Sequence, residues 1–149
     1  MKKVFHFDSR AEKYHADACV VSCFDNRFEL ATQKFLKKRG VARPDPLKIA
    51  GGAKIFASPA DDSARAFALN QVQTSIRLHG TNRVMLILHS DCGAYGGLAA
   101  FDRDEEREAA RFESELRHAA KFLMSNIAAI DVECYYLKFT GVWSFDAAQ

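Results

Sequence analysis

The sequence predicts an α/β fold: a mainly parallel β-sheet of about four to five strands flanked by helices. Two observations carry that reading. Short apolar, β-branched runs alternate with stretches whose apolar residues recur at helical spacing, in the order strand, helix, strand, helix, strand, helix, strand. The strand runs are also apolar at successive positions, as strands covered on both faces are.

Taken along the chain, Ala18 to Ser22 (Ala-Cys-Val-Val-Ser) reads as the first buried strand. Phe28, Ala31 and Phe35 follow at helical spacing, and Gly40 stops that helix. Lys37-Lys38-Arg39 is its solvated end, where cations suit the helix dipole. Pro44 and Pro46 bracket a turn, Leu47 to Ile49 is a short strand, and Ala50-Gly51-Gly52-Ala53 is a glycine loop leaving it. Asp61, Asp62 and Ser63 are N-cap material for a second helix, with Phe67, Val72 and Ile76 among its apolar residues and Gly80 at its end. Arg83 to Leu88 is the clearest buried strand, and Gly93, Gly96 and Gly97 make the turn after it. A long helix runs from about Asp104 to Asn126, with Phe112, Leu116, Ala119, Leu123 and Ile127 as its buried stripe. Glu133 to Phe139 is the last strand. The tail is polar, and its Trp143 is expected at a surface or subunit interface.

The 149 residues suit one domain, with no repeat, linker or low-complexity segment. A net charge of +2 gives no field for a nucleic acid or a membrane surface. No apolar run approaches the ~20 residues of a membrane span. The residues after Met1-Lys2-Lys3 are too polar for a signal peptide. A soluble, cytoplasmic protein with reduced thiols is the expectation, its cysteines being metal ligands or buried thiols.

In open α/β sheets, ligands bind beyond the carboxyl ends of the strands. Two strands here end in metal-ligating residues: the first in Cys23, the third in His89 followed by Ser90-Asp91-Cys92. Adjacent parallel strands lie about 4.8 Å apart, so the two ends can share one ion. Two thiolates and an imidazole suit tetrahedral zinc, and three protein ligands leave its fourth position open, the catalytic pattern. Asp25 and Arg27 follow Cys23 at two and four residues, and an arginine there would hold the aspartate ionised and oriented. Gly51, Gly52 and Gly93 would let backbone approach a small substrate, or serve simply as turn glycines. His15 is a candidate pocket residue or proton shuttle. Cys19 and Cys134 read as buried thiols. His6, His79 and His118 have no convergent partners and read as surface or packing residues.

Cys23-Phe24-Asp25-Asn26-Arg27 followed by His89-Ser90-Asp91-Cys92-Gly93 resembles the signature of the β-class carbonic anhydrases. The strand Ala18 to Cys23, the Ile49-Ala50-Gly51-Gly52 loop and the closing Tyr136-Leu137-Lys138-Phe139-Thr140-Gly141 are similar to corresponding parts of that family, so the likeness runs from Ala18 to Val142. It departs at Lys48 and Ile49, where the family often has arginine and asparagine. The resemblance implies one zinc per chain on Cys23, His89 and Cys92, and reversible hydration of carbon dioxide to bicarbonate by a zinc-bound hydroxide. Asp25 and Arg27 would be the catalytic pair, with Asp25 either orienting the hydroxide or closing the site as a fourth ligand. It also implies a homodimer or higher homo-oligomer. Two other readings stay open: a zinc hydrolase of carbonyl sulfide or carbon disulfide, and a non-catalytic zinc-binding member of the fold.

Overall fold

A computed structural model describes residues 1–147. Five strands form one sheet in the order β2-β1-β3-β4-β5. They are β1 (Ala18–Ser22), β2 (Pro44–Lys48), β3 (Arg83–His89), β4 (Asp131–Lys138) and β5 (Gly141–Phe145). The first three pairings are parallel, and β5 returns antiparallel on β4. The helices are α1 (Glu29–Lys38), α2 (Lys54–Ala57), α3 (Asp62–His79) and α4 (Glu105–Asn126).

Successive side chains of a strand face opposite ways, and both faces are covered. Val84, Leu86 and Leu88 of β3 join Phe56 of α2, Val72 of α3 and Phe112 and Leu116 of α4 on one side. Met85 and Ile87 join Val20, Phe28, Leu36 and Leu137 on the other. This two-sided burial explains why the strands read as continuous apolar runs. Asp61 caps α3 by accepting from the Ala64 N–H at 2.8 Å, and Gly80 ends it at φ 68°. Asp104 caps α4 through the Glu106 and Arg107 N–H groups.

Several expectations need correction. Pro44 and Pro46 lie within β2, not around a turn. β2 is an edge strand, and its Ile49 N–H donates to the Ser22 carbonyl at 3.0 Å. Odd-numbered amides therefore face β1, and the two prolines fall where the amide would point away from the sheet, a place an edge strand tolerates. The supposedly polar tail supplies β5, with Trp143 paired opposite Tyr136 and 44% exposed. On α1 the buried residues are Thr32 and Leu36, following Phe28, while Ala31 is exposed and Phe35 half-buried. Phe67 of α3 is 64% exposed. Among the described residues no helix is long and apolar enough to cross a membrane.

Candidate metal centre

The site forms where β1 and β3 end side by side. Cys23 follows β1 directly, His89 is the last residue of β3, and Cys92 closes the short loop beyond it. Ligand atoms of Cys23, His89 and Cys92 lie within 4.8 Å of one another, the one such group of three or more among the described residues. The loop after β2 packs beneath them. Gly52 has φ 53°, and a Cβ there would lie 2.5 Å from the Ile87 carbonyl oxygen and 2.9 Å from the Cys23 nitrogen. Only glycine fits that left-handed close approach.

His89 is oriented for ligation. It is 3% exposed, and its Nδ1 lies 2.9 Å from the Ser90 carbonyl oxygen, which accepts the ring N–H. A second hydrogen bond of this kind fixes the tautomer of a metal-binding histidine. Nε2 is left facing the cysteines as a buried nitrogen without a hydrogen-bond partner. Burial lowers the His89 pKa, favouring the neutral imidazole that a metal requires. The Asp25 Oδ2 atom, 3.9 Å from Nε2, is thus a polar neighbour and not an ion-pair partner. Phe28 packs its ring 4.6 Å from the imidazole. Burial pushes the Cys92 thiol up to about 11, and the adjacent Cys23 adds to the effect. Burial disfavours the Cys92 thiolate, and a cation bound beside it would offset that cost. The orphaned Nε2, the paired sulfurs and the neutral imidazole fit zinc.

Asp25 and Arg27 meet as their spacing predicts. Arg27 Nη2 donates to Asp25 Oδ2 at 2.7 Å, Nε reaches both carboxylate oxygens at 3.1 Å, and the Arg27 backbone N–H donates to Oδ1 at 2.9 Å. Hydrogen bonds from the guanidinium hold the Asp25 carboxyl at about 2, well below its usual 3.8.

Sequence reasoning missed two residues. Asp91 accepts Arg27 Nη1 on Oδ2 at 2.8 Å and Nη2 on its backbone carbonyl at 2.9 Å. Glu108 of α4 is fully buried; it accepts the Asp91 N–H at 2.8 Å and the Tyr136 hydroxyl at 2.7 Å. Its signal was present: an acid on the helix face that carries Phe112, Leu116 and Ala119 is a charge at a core position, and such residues are almost never buried unpaired.

The remaining candidates separate. Gly51, at φ 75°, packs against Ala94, and Gly93 opens the turn after Cys92 with free space around it. His15 is exposed and lies against Gly80, at the amino-terminal end of the sheet, away from the cluster. Cys19 and Cys134 are buried free thiols. His79 is a correction: its Nδ1 lies 2.6 Å from Asp45 Oδ2, in a cluster with Tyr14 and Ser75.

A family model described as "Putative carbonic anhydrase" matches residues 13–145. No curated protein sequence matches the chain. Among solved structures, the β-carbonic anhydrase isoform I of Trichomonas vaginalis is similar at 15% identity and TM-score 0.62, covering 93% of this chain and 87% of that one. A tetrameric β-carbonic anhydrase of Sordaria macrospora is similar at 15% identity and TM-score 0.60, covering 89% and 81%. The carbonic anhydrase of Streptococcus mutans is similar at 18% identity and TM-score 0.59, covering 95% and 89%. At these identities the likeness to the solved structures is one of fold.

Proposed function

The chain belongs to the β-class carbonic anhydrase family, and from that premise we propose that it is a zinc-dependent carbonate dehydratase that interconverts carbon dioxide and bicarbonate. One observation carries the reading: Cys23, His89 and Cys92 converge around the unpartnered Nε2 of His89, directly beside an Asp25–Arg27 pair. Zinc bound there would act as a Lewis acid that makes a hydroxide nucleophile available near neutrality.

The residues of the chain supply placement. Arg27 keeps Asp25 ionised and fixes its carboxylate next to the ligand cluster. A carboxyl held at about 2 is a poor base at neutral pH, so Asp25 orients the nucleophile by accepting its hydrogen bond and does not store the proton. Hydration turns carbon dioxide and water into bicarbonate and a proton, and the proton leaves to solvent. Phe28 shields one face of His89.

The enzyme acts as a homodimer or larger homo-oligomer in the cytoplasm. Support for assembly comes from the exposed Phe67, which with Leu47, Ile49 and Ile55 lines an apolar groove of about 350 Å³, and from the tetrameric state of the Sordaria macrospora relative. Four cysteines outside any disulfide, two of them proposed metal ligands, suit a reducing compartment.

The test is elemental analysis together with stopped-flow proton release on mixing with carbon dioxide, with and without chelator. About one zinc per chain and chelator-sensitive hydration are expected. Sulfide release from carbonyl sulfide without carbon dioxide hydration would make the protein the related hydrolase. Stoichiometric zinc with neither activity would make it a non-catalytic member.

A further inference from the structure

Arg27 does not belong to Asp25 alone. Its fork is divided: Nε and one Nη2 proton go to Asp25, while Nη1 and the other Nη2 proton go to Asp91, at 2.8 Å to Oδ2 and 2.9 Å to the backbone carbonyl. The two aspartates stand on different ligand-bearing loops, one leaving β1 beside Cys23, the other between His89 and Cys92. Arg27 is therefore a clasp across the site.

Asp91 is an unusual anchor. Its φ is 54°, a left-handed conformation that aspartate visits more readily than most residues but that still costs free energy. It is fixed there from three sides. The buried Glu108 carboxylate accepts its N–H at 2.8 Å, its Oδ1 accepts the Leu98 N–H at 2.9 Å, and its Oδ2 takes Arg27. Glu108 is itself tied to the core by the Tyr136 hydroxyl. The arginine is thus hung from the core of the domain, and only its other edge is left for Asp25. Phe139, with its ring 5.6 Å from the guanidinium carbon, stands over it.

We propose that Asp91 is a positioning residue for the Asp25–Arg27 pair: by anchoring Arg27 to the β3 loop it keeps the Asp25 carboxylate off the metal ligands. Asp25 Oδ2 already lies 3.9 Å from His89 Nε2, so a small rotation brings it into the ligand set. Arg27 opposes that rotation only while the guanidinium itself is held. Without Asp91, arginine and aspartate are free to move together toward the cluster. This rests on the carbonate dehydratase reading for its effect on rate, but not for its effect on geometry.

Two variants test it. Asp91→Asn retains an oxygen for the Leu98 N–H and a side chain that tolerates left-handed φ, but it cannot hold the guanidinium as a carboxylate does. Asp91→Gly removes the carboxylate half of the anchor and frees the backbone whose carbonyl carries the other half. Zinc-loaded crystals of the wild type and both variants are compared, with zinc content and carbon dioxide hydration measured alongside. The expected result is Asp25 on Arg27 in the wild type and Asp25 on the metal in the variants, with zinc retained and hydration at least about tenfold slower. Asp25 remaining off the metal in both variants, whatever the rate, overturns the proposal. A wild type that binds zinc without hydrating carbon dioxide defeats the functional reading instead, and the position of Asp25 in the three crystals still decides the role of Asp91.

Discussion

Two carboxylate clusters sit at opposite ends of the same sheet, and they differ in what they leave unsatisfied. At the amino-terminal end, Asp45 of β2 accepts the Tyr14 hydroxyl at 2.7 Å, the Ser75 hydroxyl at 2.6 Å and contacts His79 Nδ1 at 2.6 Å. Burial raises its pKa, but the hydrogen bonds from Ser75, His79 and Tyr14 outweigh burial and the net shift is down. Nothing is left over: the cluster joins the edge strand, α3 and the N-terminal segment and stops. At the carboxyl end, Asp25 is equally well held by Arg27, yet beside it His89 Nε2 is buried without a partner. A buried polar group left unpaired costs stability, and a fold keeps one where a ligand will satisfy it. The same chemistry of donors around an aspartate therefore means a staple at one end and a candidate site at the other.

Removing a ligand should break the contrast most completely. Cys92→Ser should lose its zinc to background by elemental analysis, and hydration should fall to the uncatalysed rate. Undiminished zinc in this variant would remove Cys92 from the ligand set and the metal centre with it.

Next comes the orienting carboxylate. Asp25→Ala should keep zinc but slow hydration by ~100- to 10,000-fold, the usual contribution of a positioned proton-accepting group. Arg27→Ala should also lose hydration with zinc bound, because Asp25 is then free to become the fourth ligand. The pH dependence separates orientation from proton storage. Folding lowers the Asp25 pKa from 3.8 to about 2, so the stabilisation it brings is complete above the unfolded value and is lost as pH falls through about 2. Asp25 is ionised throughout the range from pH 5 to 8. Hydration in Asp25→Asn should therefore be slower at every pH in that range, with an unmoved inflection. An inflection that disappears in the variant would make Asp25 the titrating base.

Asp45→Ala probes the opposite end and should move the other observable. It strands three donors, of which the Ser75 hydroxyl is the most buried. Tyr14 and His79 can turn to water, so a loss of about 2–4 kcal/mol is expected, or a fall in Tm of order 5–15 °C. Thermal melts followed by circular dichroism give the stability. Hydration per folded molecule at 25 °C should not change. A rate loss comparable to that of Asp25→Ala would show that the two ends are not independent.

How legible each end was in the sequence follows from the distance between its parts. Cys23, Asp25 and Arg27 lie within five residues, and His89 and Cys92 within four, so strand ends and spacing suffice to bring them together. Asp91 stood in plain view between two candidate ligands, but its place depends on a left-handed backbone and an arginine 64 residues away. Glu108 stands at a core position of α4, but its partners, the Asp91 N–H and the Tyr136 hydroxyl, lie 17 and 28 residues away in sequence. The Asp45 cluster was out of reach, because Tyr14 and His79 are 31 and 34 residues from their acceptor. The same limit hid the first part of β2, whose two prolines argue for a turn until the strand is known to be at an edge, and β5, which pairs with β4 only after a tight return at Gly141.

The smallest expected effect belongs to Gly93, and it tests how closely the carboxyl end is packed around its glycines. Gly52 is locked: φ is 53°, and any Cβ collides with the backbone of β3 and with Cys23. Gly93 directly follows the candidate ligand Cys92 and opens the turn Gly93–Tyr95, yet its φ lies outside the left-handed region and a Cβ built on it meets nothing within 4 Å. Where the native backbone suits alanine, replacing glycine stabilises by about 0.4–1 kcal/mol, because the unfolded chain loses freedom. Gly93→Ala should accordingly leave zinc stoichiometry unchanged and shift the denaturation midpoint slightly upward. Hydration then distinguishes the two uses of a glycine beside a metal. An unchanged rate makes Gly93 a turn residue. A rate reduced tenfold at full zinc content would mean that the empty space above Gly93 is the approach path of the substrate, and that a single methyl group is enough to obstruct it.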